Sequence, residues 1–106
     1  MRDTFYEVQL DLDVRIAVEF GGRPVDDYAV MLQIEEDDQW NTVFLVDNAH
    51  GTHHAHRYTG QVKGEPEPFF NGPDPQAIQY AVRHLKDNVD QVIEDWRLRT
   101  AEADHG

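Results

Sequence analysis

The chain has 106 residues, 40% of them hydrophobic and 28% charged, a composition that fits one folded domain and excludes a disordered or fibrous chain. It holds no cysteine, which rules out disulfides, thiolate zinc sites and thiol nucleophiles, and no apolar run approaches the ~20 residues that span a bilayer. Nine Lys and Arg oppose 21 Asp and Glu, a formal net charge of −12 that disfavours phosphate binding in dilute buffer.

Phe5–Leu10 and Val14–Phe20 alternate apolar with polar residues, the pattern of half-buried strands. Gly21-Gly22-Arg23-Pro24 marks a turn, and Tyr28–Ile34 reads as the next strand. The acidic run Glu35–Asp38 is a solvated turn leading into Gln39–Val46, the most apolar and therefore central strand. Asp47–Gly51 is a turn or bulge, after which His53–Tyr58 reads as a further strand antiparallel to its predecessor. A connector over residues 64–73 carries three prolines, which fix extended geometry, while Phe69 and Phe70 pin it to the core.

A helix is predicted from Pro75 to about Thr100, with Asp74 as N-cap and Pro75 at the first helical position. Ile78, Val82, Leu85, Val89, Val92 and Trp96 recur at spacings of 4, 3, 4, 3 and 4, one continuous apolar stripe. At 1.5 Å per residue the helix would run ~39 Å, longer than a sheet of this size is wide. Its far end, with Trp96 as anchor, is therefore expected to form a contact between chains, a homodimer being the simplest form. The expected fold is α+β: an antiparallel sheet of four or five strands followed by one long C-terminal helix packed on one face. The expected organisation is a single domain over residues 1–106, with strands over about 5–60, the connector, the helix and a flexible tail at 101–106.

Chemistry concentrates in one segment, Asp47-Asn48-Ala49-His50-Gly51-Thr52-His53-His54-Ala55-His56-Arg57-Tyr58, which carries four of the six histidines. Strand alternation puts His54, His56 and Tyr58 on one face and His53, Ala55 and Arg57 on the other. Two imidazoles two residues apart lie ~6.5–7 Å apart at Cα, close enough to flank one reacting phosphate as base and acid. Arg57 would stabilise the developing phosphorane charge and Asp47 would orient a histidine. Tyr58, His50, His53 and Asn48 are candidate binding residues around them. A second reading takes His50, His54 and His56 as ligands of a divalent metal such as zinc, with no metal required under the first. A third makes the segment a pH-sensitive contact surface, and a fourth takes it as a solvated edge strand, leaving a non-catalytic module that binds a partner.

Val46-Asp47-Asn48-Ala49-His50-Gly51 followed by His54-Ala55-His56 resembles the TumE-type toxin family of prokaryotic toxin–antitoxin systems, or a small haloarchaeal relative of it. Asp47, Asn48, Gly51, His54 and His56 match that pattern. Val46 and Ala55 stand where the family carries Tyr and Arg. The resemblance implies a cognate antitoxin or other protein partner and an RNA-directed toxin activity; the alternative is an antitoxin-like or regulatory binding module. Aspartates outnumber glutamates 13 to 8, and only Lys63 and Lys86 accompany seven arginines, a balance like that of salt-loving archaea. In molar salt the Debye length falls to ~3 Å, so carboxylate repulsion is screened and the acidity describes the solvent more than the partner. The Met1-Arg2-Asp3-Thr4-Phe5 opening lacks the apolar core of a secretory signal, and the expected location is cytoplasmic, with no membrane partner.

Overall fold

The computed structural model describes residues 2–49 and 51–105. Six strands, β1 (Thr4–Asp11), β2 (Val14–Gly21), β3 (Asp27–Glu36), β4 (Gln39–Asp47), β5 (His53–Thr59) and β6 (Val62–Phe70), precede two helices, α1 (Asp74–Asp87) and α2 (Val89–His105). The strands form one antiparallel sheet in sequence order, each hairpin-connected to the next. The α+β class is as expected, but the sheet has six strands rather than four or five. The extra strand is the proline-bearing connector. Pro66 and Pro68 lack ladder donors, which an edge strand tolerates, and β6 is an edge, paired only with β5.

Turn chemistry sets the hairpins. Asp37 and Asp38, with φ of 55° and 63°, are the two central residues between β3 and β4, where the twist of the flanking strands requires left-handed backbone. In β4, Val43 is an inserted residue, since Leu32 pairs with Phe44 and Gln33 with Thr42. Alternation then divides the sheet into two faces. Ile16, Val18, Tyr28, Val30, Leu32, Ile34, Phe44, Val46 and Ala55 meet the helices in the core, together with Ala77, Ile78, Ala81, Leu85 and Trp96. Ala77 and Ala81 are missing from the predicted stripe. Their small side chains let the α1 backbone come close to the sheet. The opposite face carries Ala17, Ala29, Leu45, Asp47 and His56, which are buried yet lie outside the core that the helices join.

The helical region is not one long rod. Asn88, with φ −123° and ψ 19°, separates α1 from α2. Its side-chain amide and its backbone N–H both donate to His84 O, at 2.8 and 3.0 Å. Asn side chains compete in this way for helix carbonyls, and the break lets both segments lie on the sheet instead of overhanging it. α2 continues to His105, through residues expected to be a flexible tail. Asp74 is the first residue of α1 rather than its cap; Pro73 holds the cap position, and the Asp74 carboxylate accepts from Asn48 Nδ2 at 3.2 Å.

Trp96 is 8% exposed and its Nε1–H donates to Gly60 O at 3.0 Å, so it anchors α2 to this chain's own β5–β6 turn. Thr100 Oγ1 accepts from Gly60 N–H at 2.8 Å, and Arg99 donates from Nε and Nη2 to Tyr58 O. These three residues of α2 fix the hairpin that carries the histidine strand. Among the described residues, no helix is long and apolar enough to cross a membrane.

Candidate functional site

The β4–β5 register decides which chemical groups meet. Asp47 pairs with His54 and Leu45 with His56, so Asp47, His54 and His56 project from one face of the sheet, the one without helices. His54 and His56 share that face as strand alternation predicts. His56 is 8% exposed, and its Nδ1 lies 3.0 Å from Gly64 O. A carbonyl only accepts, which assigns the proton of neutral His56 to Nδ1. Gly64 has to be glycine, because a Cβ there would run into the carbonyl of Arg57. That close approach is what brings Gly64 O to the imidazole.

His56 Nε2 then faces Asp47 Oδ1 at 3.6 Å. In the neutral ring both atoms are acceptors, and neither can donate. Asp47 is 4% exposed, and its Oδ1 is a buried polar atom with no hydrogen-bond partner among the described residues. Its other oxygen lies 3.8 Å from Nζ of Lys63, a half-exposed side chain. Protonation of His56 Nε2 would supply the missing donor and make a buried imidazolium–carboxylate pair. Burial, followed by the Asp47 charge, raises the Tyr58 pKa above its ordinary value, so its hydroxyl stays protonated. His54 is half-buried, with Nε2 2.9 Å from Thr52 Oγ1.

One predicted member of this constellation is elsewhere. Arg57 pairs with Phe44 in the ladder and so lies on the helix-bearing face, its Nε 3.1 Å from Glu67. It cannot supply the cation for a reaction on the His54–His56 face. The cation there is Lys63, which sequence reasoning left out. Its signal was weak: the tight β5–β6 turn folds Lys63 back beside Tyr58, a pairing visible only once the register is known.

His53 and Asn48 serve the fold. His53 also points to the helix-bearing face, where Nδ1 meets the Tyr28 hydroxyl at 2.8 Å and Nε2 meets Gly72 O at 2.7 Å. Gly72 O again takes the proton-bearing nitrogen, leaving Nδ1 to accept from Tyr28. Burial first, then the Asp74 and Asp47 charges, hold the Tyr28 pKa far above its usual value. Asn48 accepts from the Tyr28 N–H at 3.2 Å and donates to Asp26 O at 3.0 Å, joining β3, the end of β4 and the start of α1. His50 lies outside the described residues, and with it one member of the alternative metal set. Among the described residues no three His, Asp or Glu side chains come together as metal ligands.

No curated protein and no solved structure matches the chain. A family model does, over residues 1–102, and its description is Domain of unknown function (DUF7718). That match covers nearly the whole sequence, the β5 histidines and both helices included, and the chain belongs to this family.

Proposed function

We propose that the protein is a toxin-like agent that acts on RNA phosphodiesters by side-chain acid–base chemistry on the helix-free face of the sheet. The observation that carries the reading is Asp47 Oδ1, a buried carboxylate oxygen without a hydrogen-bond partner among the described residues, set among two histidines and a lysine. A fold leaves such an atom unsatisfied at a cost of ~1–3 kcal/mol, and sites of that kind concentrate where function rather than stability decides the residue. The likeness of the Asp47–His56 segment to the TumE-type toxins supports RNA as target and a cognate protein as partner.

In this reading His54, the more exposed imidazole, takes the 2′-hydroxyl proton, and the 2′-oxygen attacks phosphorus. The 5′-oxygen leaves with the Nε2 proton of an imidazolium His56, the proton that Asp47 Oδ1 accepts before substrate binds, and His56 is left neutral with its Nδ1–H on Gly64 O. Lys63 stabilises the charge on the phosphorane, the role first assigned to Arg57. The products are a 2′,3′-cyclic phosphate and a 5′-hydroxyl.

Purified protein incubated with total RNA in molar KCl, with and without chelator, tests this. Cleavage that survives the chelator and follows a bell-shaped pH profile is expected, with His54→Ala and His56→Ala each costing ~10²–10⁴-fold. Lys63→Met is expected to lower the rate, and Lys86→Met, a distant surface change, to leave it unaltered. RNA left intact by the wild type, or cleavage retained in folded His54→Ala, overturns the reading. Cleavage lost with chelator replaces it by metal chemistry.

A further inference from the structure

On the other side of the β5–β6 edge, a groove of about 360 Å³ separates the strands from the two helices. Its helical wall is a row of outward residues, among them Tyr80, His84, Asp95 and Arg99, at helical spacing across the Asn88 break. Its strand wall is Arg57, Glu67 and Phe69.

The two ends of the groove differ in chemistry. At one end Tyr80 and His84 lie near-parallel, with centroids 6.2 Å apart and planes at 19°. Phe69 meets both edge-on, at 5.2 and 5.4 Å. Phe70 packs tilted on Tyr80 at 5.2 Å and Phe44 on His84 at 6.2 Å, so the aromatic cluster is held from within, and Tyr80, 46% exposed, is the ring it presents to the groove. At the other end stand two guanidinium groups. Arg57, its side chain 58% exposed, uses Nε on Glu67, which leaves the fork of its Nη groups free. Arg99 gives Nε and Nη2 to the neutral Tyr58 carbonyl and has no carboxylate partner among the described residues. In a chain with 21 carboxylates, a half-buried arginine paired only with a carbonyl is a cation kept available. Of the acidic residues of the groove, Glu67 is paired with Arg57, whereas Asp95 accepts from the neutral Gln91 Nε2 at 2.9 Å and keeps its charge, which the two guanidinium groups outweigh.

We infer that this groove binds a nucleotide, its base stacked on the Tyr80–His84 platform and its phosphate held by Arg57 and Arg99. A flat ring joined to an anion is the ligand that uses both ends at once. Aromatic stacking beside a guanidinium pair is also how single strands are held without base-specific contacts. The source is either a free nucleoside monophosphate or a nucleotide within a strand. The inference does not rest on the histidine face, since binding here requires no cleavage there.

Calorimetric titration of the intact protein with AMP, adenosine, ribose 5-phosphate and a short oligoadenylate, at physiological and molar KCl, separates the contributions. AMP is expected to bind at least about tenfold more tightly than either fragment. Arg57→Gln should weaken AMP about tenfold and leave adenosine unchanged, because one charge-assisted contact is lost. Tyr80→Ala should weaken AMP and adenosine alike, about tenfold. Both side chains are exposed, so both variants should keep the wild-type circular dichroism. Oligoadenylate binding more tightly than AMP identifies a strand as the source, and equal affinity identifies the free nucleotide. The inference is overturned if neither AMP nor oligoadenylate binds, if both variants bind like wild type, or if an arginine-rich peptide binds this groove in their place. AMP binding retained in His54→Ala, with RNA cleavage lost, would separate the groove from the histidine face. AMP binding by a wild type that cleaves no RNA would leave the groove standing alone.

Discussion

Replacing Asp47 by Asn should stabilise the protein while removing the proposed RNA cleavage. Asp47 Oδ1 is buried, has no donor among the described residues, and faces the lone pair of neutral His56 Nε2 at 3.6 Å. An Asn amide turned so that Nδ2 occupies that position would donate to Nε2, satisfying both atoms. Relief of an unsatisfied buried acceptor is worth ~1–3 kcal/mol. Against it stands the loss of the Lys63 contact, a 3.8 Å pair to a half-exposed side chain, worth ~0–1 kcal/mol. The net expectation is ~1 kcal/mol of stabilisation, about 4–8 °C in Tm for a domain of this size. Removing any negative charge from a chain at −12 also helps, so the reference is Glu94→Gln, an exposed position on α2 with the same change in charge. Thermal and urea unfolding of wild type and both variants at neutral pH give the comparison. If Asp47→Asn is less stable than Glu94→Gln at neutral pH, Asp47 is a paired structural carboxylate, and the reasoning that marks it as a functional group fails.

Other perturbations follow from the same geometry. Leu85 is fully buried under α1, and Leu85→Ala should cost ~2–5 kcal/mol in urea unfolding; an unchanged midpoint would remove α1 from the core. Trp96→Ala should cost ~3–5 kcal/mol without altering mass by light scattering, because the indole contacts Gly60 of its own chain; a change in oligomeric state would restore the inter-chain role. The Tyr28 pKa is raised in the folded state, so its stabilisation is complete below the unfolded value near ~10 and is lost as pH rises through the folded value. Unfolding free energy should therefore fall with pH above ~10, and Tyr28→Phe, less stable at neutral pH, should show a shallower alkaline slope. Tm should rise steeply from low to molar KCl as repulsion among 21 carboxylates is screened; a flat or falling Tm would return the acidity to the question of partners.

Local periodicity carried most of the architecture. Period-two alternation placed β1 to β5, and within the histidine strand His54 and His56 fall on one face and Ala55 and Arg57 on the other, as expected, while Tyr58 packs against the core. Two features escaped it. Prolines at 66 and 68 read as a connector, because whether proline breaks a strand depends on whether that strand has a neighbour on both sides. The stripe from Ile78 to Trp96 continued in register through Asn88, since one residue can bend a helix without disturbing its apolar spacing. The candidate site was half legible for a similar reason. His54 and His56 are local to one strand. Asp47 opposite His54 depends on the β4–β5 register, and Lys63 on the turn that returns β6 beside Tyr58. Arg57 was grouped with the histidines by adjacency in sequence, and alternation sends it to the opposite face.

The histidine cluster thus divides by how completely each face satisfies its polar groups. On the helix-bearing side His53 has a partner for each ring nitrogen, Tyr28 and Gly72, and Asn48 uses both its oxygen and its amide. Every donor and acceptor there joins strands to the start of α1, which is reason enough for those residue types at those positions. Across the sheet, His56 is fixed by Gly64 at one nitrogen and left without a donor to offer Asp47 at the other. An apolar pair at these two positions would fill the same space without the desolvation cost, as Leu45 and Ala29 do beside them. Stability therefore accounts for His53 and Asn48 but not for Asp47 and His56. A proton, a substrate or a partner arriving at that face would complete their bonding.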